Sequence, residues 1–239
     1  MRRFNRVFTV LVFAFLYIPM VVLAVASFNK GMDIAVFKGF TFDQYKELFR
    51  DSSLLALLRN SLIISVLASL LATVIGTAAA VGIFRMRGRM RSAVMTMTNI
   101  PMTNPEIVTG VSMALLFAFA GMMLRIHSIL GFWTLLIAHI TFNLPYIILN
   151  VMPKLSQMDP DLTEAALDLG CTPVQAFFKV VLHEIMPGII SGMLMAFTMS
   201  LDDFVISYFV TGSGFVTLPV EIYSYTKSPS SRRSTPCLR

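Results

Sequence analysis

The sequence predicts an all-α membrane protein, a polytopic helical bundle with five membrane-spanning helices. Hydrophobic residues make up 56% of the 239 residues and charged residues only 13%, with a mean hydropathy of +0.76. A soluble domain carries about a quarter charged residues. The few charges are grouped between long apolar runs, so most of the chain is predicted to be surrounded by lipid or by other helices. This composition excludes both a soluble globular domain and a disordered chain.

Charge and cysteine content exclude several other classes of protein. The formal net charge is +6, but most basic residues flank apolar segments, where orientation in the bilayer explains them without a nucleic-acid partner. The two cysteines, Cys171 and Cys237, fit neither a disulfide framework nor a redox or metal motif. We therefore expect no cofactor, no metal site and no nucleic acid.

The first two apolar runs each predict a single membrane helix. Residues 7–28 carry no charge and would form a helix of roughly 33 Å, enough to cross the hydrocarbon core. A cleaved signal peptide is the alternative, because Ala24 and Ala26 have the A-x-A spacing. In residues 61–84, alanine or glycine recurs at every fourth position from Ala68 to Ala80, which predicts close contact with another helix.

The third apolar run, residues 92–124, is too long for one untilted span. Pro101, Pro105 and Glu106 interrupt it. Prolines are the commonest cause of sharp helix kinks, so this run predicts a kinked or broken helix.

Residues 129–152 and 187–210 predict the fourth and fifth spans, and the fifth contains Asp202 and Asp203. A charge at bilayer depth costs about 2.5–3.5 kcal/mol on insertion scales, so these acids and Glu106 need water, a partner group or a bound cation. Counted along helices, Glu106 and Asp202 lie at similar depth, about 21 Å from the cytoplasmic end. We interpret the three acids as a candidate path for a cation. The alternative is that Asp202 and Asp203 satisfy polar groups of neighbouring helices, or that they lie at the outer interface of a shorter span.

The distribution of basic residues predicts a cytoplasmic amino terminus. Three arginines precede the first span and four lie in residues 85–91, whereas the third-to-fourth connection carries only Arg125. Residues 29–60 then lie outside the cell. There, Thr41 with Gln44 predicts a capping box that starts a short helix.

Residues 153–187, on the cytoplasmic side, predict two short helices joined by a glycine. Capping residues mark the boundaries in turn: Asp159 or Asp161, then Gly170, then Thr172 with Gln175. The second helix has an apolar stripe at helical spacing, formed by Val174, Phe177, Phe178, Val181, Leu182 and Ile185. Either the chain's own helices and lipid headgroups or a docking partner protein must cover this stripe, and the spacing leaves both open.

The same loop resembles the EAA loop of ABC importer permeases, whose pattern is EAA, three residues, Gly, nine residues, Ile, any residue, Leu-Pro. Glu164, Ala165, Ala166, Gly170, Val180 and Leu182 fall at this spacing. Val180 replaces the usual Ile, and His183 replaces the usual Pro. The resemblance covers residues 5–227 and includes the segments at residues 27–29, 39–41, 100–107, 131–133, 139–142 and 200–203. The chain is thus similar to polyamine permeases of the PotC and PotI type.

This resemblance implies a MetI-like ABC permease transmembrane domain over residues 1–227, with a coupling loop at residues 153–187, in the inner membrane of a bacterium. The implied substrate is putrescine or spermidine. The implied partners are a second permease subunit, a dimer of cytoplasmic ATP-binding subunits and an external polyamine-binding protein. The six residues of the EAA pattern would couple transport to the ATPase. The family has six spans, so we hypothesise that truncation or frameshift removed the sixth and left residues 228–239 as a basic, disordered tail.

Other functional classes fit the sequence less well. His183-Glu184 begins an HExxH zinc motif, but Pro187 stands where the second histidine is needed. The chain also lacks G-x-x-x-x-G-K-[ST], so we expect a permease rather than an enzyme, with ATP hydrolysis on a partner chain. A secondary transporter of a small cation is the alternative function, because broken helices and buried acids suit ion coupling. A two-helix cytoplasmic loop has no role there.

Overall fold

The computed structural model describes residues 2–31, 38–126, 129–159, 161–212 and 214–227. These residues form helices and contain no β-strand, although one isolated antiparallel bridge joins Asn29 and Phe40. The helices are α1 (Arg2–Ala26), α2 (Asp43–Arg50), α3 (Ser52–Phe84), α4 (Gly88–Thr103), α5 (Glu106–Leu124), α6 (Phe132–Gln157), α7 (Asp161–Asp168), α8 (Pro173–Ala176), a π-helical turn (Phe177–Val181), α9 (Leu182–Asp202), α10 (Val205–Val210) and α11 (Leu218–Lys227). The chain divides into two compact units, with the boundary after Ala56. The predicted all-α class is confirmed.

Within the described residues, five helical stretches are long and apolar enough to cross a membrane. They are Arg6–Ala26, Ser52–Phe84, Glu106–Leu124, Phe132–Gln157 and Pro173–Asp202. At about 1.5 Å per residue, their lengths run from about 28 to about 50 Å, against roughly 30 Å for a hydrocarbon core. The predicted number of spans is confirmed, whereas the second, third and fifth differ most from the predicted bounds, the second because it begins at Ser52 rather than at residue 61.

The third apolar run is broken, as predicted. α4 ends at Thr103, and Asn104 and Pro105 are extended, with ψ of 144° and 132°, before α5 begins at Glu106. A proline ring pushes the preceding residue out of the helical region, and proline itself has no N–H for the helix ladder. Pro105 therefore causes the break, whereas Pro101 lies inside α4. Because Glu106 follows the break, the depth counted for it along one helix does not apply.

The fifth span is not the single run predicted for residues 187–210. The helix starts earlier, at Pro173, passes through Pro187 and ends at Asp202. The backbone at Asp203 is extended, with ψ of 118°, and its carboxylate accepts hydrogen bonds from N–H groups of α10. A side chain that serves the start of a new helix competes with continuation of the old one, which accounts for the break.

The small-residue face of α3 is buried against α6, as its spacing predicts. Ala68, Ala72 and Ala80 have no exposed surface. A Cβ atom added at Gly76 would lie 2.7 Å from the Cβ of Ile147, closer than two carbon atoms can approach. The two helices therefore meet through small side chains, as membrane helices commonly do.

α9 also packs closely against α6 through a small residue. A Cβ atom added at Gly188 would lie 2.8 Å from the carbonyl oxygen of Asn150. Ile147, Val151 and Ile185 are fully buried in the hydrophobic core to which both helices contribute. This core positions the amino-terminal part of α9.

Replacing Gly76 by alanine is expected to lower the thermal stability of the protein. The added methyl group would overlap Ile147, and overpacking a filled core costs about 1–3 kcal/mol. The measurement is the unfolding midpoint of the purified protein in detergent. Gly82→Ala on the same helix is the matched control, because no atom lies within 4 Å of its added Cβ. Equal midpoints for the two variants would contradict the close approach.

The predicted short helix after the first span is present as α2. It begins at Asp43, and Thr41 Oγ1 accepts a hydrogen bond from the N–H of Asp43 at 3.1 Å. The side chain of Gln44, the other member of the predicted capping box, lies outside the described residues. The predicted tail, residues 228–239, also lies outside them.

Candidate functional site

The elbow, defined here as residues 159–182, begins with a short helix closed by a glycine. The carboxylate of Asp159 accepts a hydrogen bond from the N–H of Asp161 at 3.0 Å, which caps α7. Gly170 has φ of +85°, and its N–H and the next N–H donate to two carbonyl groups of α7. This pair of bonds is a Schellman motif. The boundary roles predicted for Asp159 and Gly170 are confirmed.

The second half of the elbow starts with the predicted capping box. The N–H of Thr172 donates to Gln175 Oε1 at 3.0 Å, and the N–H of Gln175 donates to Thr172 Oγ1 at 3.3 Å. Pro173 occupies the first helical position, where its missing N–H costs nothing. The prediction of a uniform α-helical stripe is wrong, however, because the π-helical turn changes the spacing of the side chains that follow.

The π-helical turn divides the predicted stripe into a covered part and an open part. Val181 and Ile185 are buried in the core shared with α6, so the chain's own helices cover them. Val174 and Phe178 remain 64% and 62% exposed, and Leu169 is 87% exposed. These three side chains, here called the open apolar face of the elbow, are left largely uncovered by the described part of the chain.

The residues of the EAA pattern differ in how far they are exposed. Ala166 is buried, whereas Glu164 and Ala165 are exposed. Val180 and Leu182 are half-buried where the elbow joins α9. Ala166 thus anchors α7, and the two residues before it remain accessible.

The second helix of the elbow and the fifth membrane span form one continuous helix. It runs over Pro173–Asp202, 30 residues, and is therefore roughly 45 Å long. Its first turns belong to the elbow, and its last residue is Asp202. The elbow and Asp202 therefore stand at opposite ends of one helical stretch.

Asp203 is a buried side chain that holds the start of α10. Its carboxylate accepts hydrogen bonds from the N–H of Ser207 at 2.8 Å and from the N–H of Ile206 at 3.3 Å. One carboxylate oxygen lies 3.6 Å from His139 Nε2, which is 3.2 Å from the Ser207 hydroxyl. Both carboxylate oxygens are thus occupied by groups of the chain itself, and His139 is a hydrogen-bonded packing residue.

Asp202 is exposed and lines an apolar cleft of about 630 Å³. The walls come from α3, the end of α9 and α11, and they include Leu62, Phe204 and Tyr223. The rings of Phe204 and Tyr223 lie 4.2 Å apart, measured between centroids. A carboxylate beside aromatic rings in an apolar cleft attracts an organic cation through charge and through cation–π contact.

Glu106 does not line this cleft. It is the exposed first residue of α5, directly after the helix break. A separate cleft of about 280 Å³ adjoins the same break and includes Asn104 and Thr109. Asp202 and Asp203 thus stand together at the α9–α10 break, whereas Glu106 begins the neighbouring helix α5, which packs against α10 near Gly110 and Val205.

A fourth acid, Glu221, was missed by the sequence analysis. It lies on α11 and lines a second cleft of about 350 Å³ with Tyr208 and Tyr223. Tyr223 also lines the Asp202 cleft, so the two clefts meet at this ring. The sequence does carry one sign of α11: Pro219 lies early in a short amphipathic segment, a position that favours the start of a helix.

Comparisons with known proteins agree with this architecture. Residues 72–232 match the model of a family described as "Binding-protein-dependent transport system inner membrane component". The spermidine/putrescine transport system permease protein PotC of Haemophilus influenzae is 39% identical over 92% of this chain and 84% of its own length. PotC of Escherichia coli K12 is 38% identical over 92% of this chain and 81% of its own length.

A putrescine transport system permease protein, PotI of Escherichia coli K12, is 40% identical over 89% of this chain and 76% of its own length. The matched family covers more than half of the chain, and each of these relatives is covered over more than two thirds of its length. All of them are permease components of transport systems. The chain therefore belongs to the family of binding-protein-dependent transport system inner membrane components, and it is a membrane permease subunit rather than an enzyme.

Proposed function

We propose that this permease subunit imports a polyamine, putrescine or spermidine, in an ATP-driven ABC transporter. The names of its relatives support the substrate class. The observation that carries the proposal is the exposed carboxylate of Asp202 in an aromatic-walled cleft, at the end of the helix that begins in the elbow. The partners would be a second permease subunit, a cytoplasmic ATP-binding subunit dimer and an external polyamine-binding protein.

In the proposed path, Asp202 binds an ammonium group of the substrate directly. Phe204 and Tyr223 add cation–π contact and exclude water from the methylene chain. Asp203 acts indirectly, because it fixes the break that leaves Asp202 facing the cleft. Glu106 would serve a separate segment of the path beside the third-span break.

The elbow is the proposed contact for the ATP-binding subunit. Its open apolar face needs a cover, and Glu164 and Ala165 lie accessible on α7. Gly170 sets the angle between the two elbow helices, while Val180 and Leu182 join the elbow to α9. Closure of the ATPase dimer on ATP would push the elbow and shift Asp202 through the continuous helix, which gives alternating access.

Uptake by vesicles that contain the complete transporter tests this function. Labelled putrescine or spermidine should accumulate only with ATP and the binding protein, and not when the ATP-binding subunit carries an inactivating substitution. Labelled lysine, a cation of different shape, is the control substrate. Accumulation that persists without ATP but stops when ion gradients are dissipated would instead establish secondary transport.

Replacing Glu221 by glutamine is expected to raise the KM for polyamine uptake several-fold with little change in kcat. Its carboxylate would receive the second ammonium group of a substrate held at Asp202, because the two clefts meet at Tyr223. The initial uptake rate as a function of substrate concentration measures the effect. Glu47→Gln, at an acid that lines neither cleft, is the control. An unchanged KM in Glu221→Gln would remove this residue from the path.

A further inference from the structure

Four aromatic rings form a cluster just past the end of α1. The centroid of Phe28 lies 5.2 Å from those of Phe40 and Tyr45, and the centroids of Phe40 and Phe42 lie 5.0 Å apart. Despite these contacts, Phe40 and Phe42 remain 63% and 54% exposed. The cluster therefore keeps a large apolar surface open.

The neighbouring helix, α2, has two sharply different faces. At about 100° per residue, Tyr45, Leu48 and Phe49 fall within one arc of the helix. Leu48 and Phe49 are 47% and 69% exposed. The opposite arc carries the charged residues Asp43, Lys46, Glu47 and Arg50. Such segregation is typical of helices that lie in a membrane interface.

Asp43, on the polar face of α2, stays charged at neutral pH. The hydrogen bond from the Thr41 hydroxyl and the nearby Lys46 ammonium lower the pKa of the Asp43 carboxyl. Lys46 Nζ lies 3.4 Å from an Asp43 carboxylate oxygen. This face is therefore suited to water and lipid headgroups, whereas the Phe49 face is not.

Hydrogen bonds fix α2 at the end of the first span. The hydroxyl groups of Tyr45 and Ser27 lie 2.8 Å apart, and Ser27 continues the last turn of α1. The N–H of Thr41 donates to the carbonyl of Phe28 at 2.8 Å. The apolar stretch of α1, Arg6–Ala26, is about 31 Å long, close to the thickness of a hydrocarbon core. Its end, and the helix bound to it, therefore lie at the membrane boundary.

We propose that Phe28 together with residues 40–50, here called the aromatic foot, is inserted in the lipid interface at the carboxyl-terminal end of α1. The open rings of the cluster and Phe49 would bury themselves among the upper acyl chains, and the charged face of α2 would meet the headgroups. Lipid is the occupant that the geometry favours, because the foot continues directly from a membrane span. The foot would set the depth of α1 in the bilayer.

A spin label at a single cysteine measures this depth in the assembled transporter. Cys171 and Cys237 are the cysteines to be replaced in this chain, and those of the partner subunits are replaced as well. Phe49→Cys places the label on the apolar face and Glu47→Cys places it on the polar face of the same helix. Collision with oxygen, which concentrates in lipid, should be several-fold higher at position 49. Collision with a water-soluble nickel chelate should be several-fold higher at position 47.

Two results would overturn the proposal. Equal exposure of both labels to the nickel chelate would place the foot in water. Shielding of the label at position 49 from both collision partners would place that face against protein. The test needs no transport, so its outcome does not depend on the identity of the substrate.

Discussion

Replacing Gly170 by valine is expected to reduce ATP-driven uptake about tenfold or more while substrate binding to the external binding protein is unchanged. Gly170 has φ of +85°, a conformation that costs an L-residue roughly 1–2 kcal/mol and a β-branched residue more. No atom lies within 4 Å of a Cβ added there, so the effect comes from the backbone alone. Loss of the Schellman motif would change the angle between the two elbow helices. Uptake and ATP hydrolysis by the same vesicles measure the coupling.

Two further variants make this prediction specific to the backbone at Gly170. Asparagine tolerates the left-handed region, so Gly170→Asn should retain much more uptake than Gly170→Val. Gly88→Val is the positional control, because Gly88 also has open space around it but lacks a positive φ. Normal uptake by Gly170→Val, or equal loss in all three variants, would contradict the proposed role of the elbow.

Replacing Asp202 by asparagine is expected to lower polyamine uptake roughly tenfold to a hundredfold, because a hydrogen bond to a charged group contributes about 1.5–3 kcal/mol. Asp203→Asn should have a much smaller effect. Asparagine caps a helix start about as well as aspartate, and its one amide oxygen can keep the shorter bond, from the N–H of Ser207. Asp203→Ala removes the cap, which costs about 1 kcal/mol, and should lower the thermal stability of the protein as well as uptake.

Comparing the two neighbouring acids distinguishes direct binding of the substrate, proposed for Asp202, from the structural role proposed for Asp203. Uptake rates for Asp202→Asn and Asp203→Asn, normalised to the amount of each permease in the membrane, give the comparison. Equal losses in both variants would contradict the indirect role of Asp203. Unchanged uptake in Asp202→Asn would remove the cleft carboxylate from the substrate path.

Local rules predicted much of the elbow. A helix cap bonds to groups only a few positions away in the chain, so the capping roles could be predicted from the sequence for Asp159, Gly170 and the pair Thr172 and Gln175. The small-residue face of α3 was predictable for a similar reason, because small residues that recur at every fourth position lie on one face of a helix. Pro105 broke the third span because its ring acts on the adjacent residue.

Features that depend on distant contacts were not predictable. The π-helical turn before α9 follows no local signal, and it determines that Val181 is buried while Phe178 is exposed. Asp202 and Asp203 are adjacent and chemically alike, yet only the fold gives one a cleft and the other the N–H groups of α10. Glu221 was overlooked because its partner ring, Tyr223, belongs to two clefts that exist only after α11 packs.

Photo-crosslinking from position 169 tests whether the elbow contacts the ATP-binding subunit. Leu169 is 87% exposed at the tip of the elbow, and Val74, 70% exposed on a membrane span, is the matched control. A photoreactive amino acid at position 169 in the assembled transporter should form an ATP-sensitive crosslink to the ATP-binding subunit, whereas position 74 should not. Crosslinks from position 169 to lipid alone, with none to an ATP-binding subunit, would contradict the proposed contact between the elbow and that subunit.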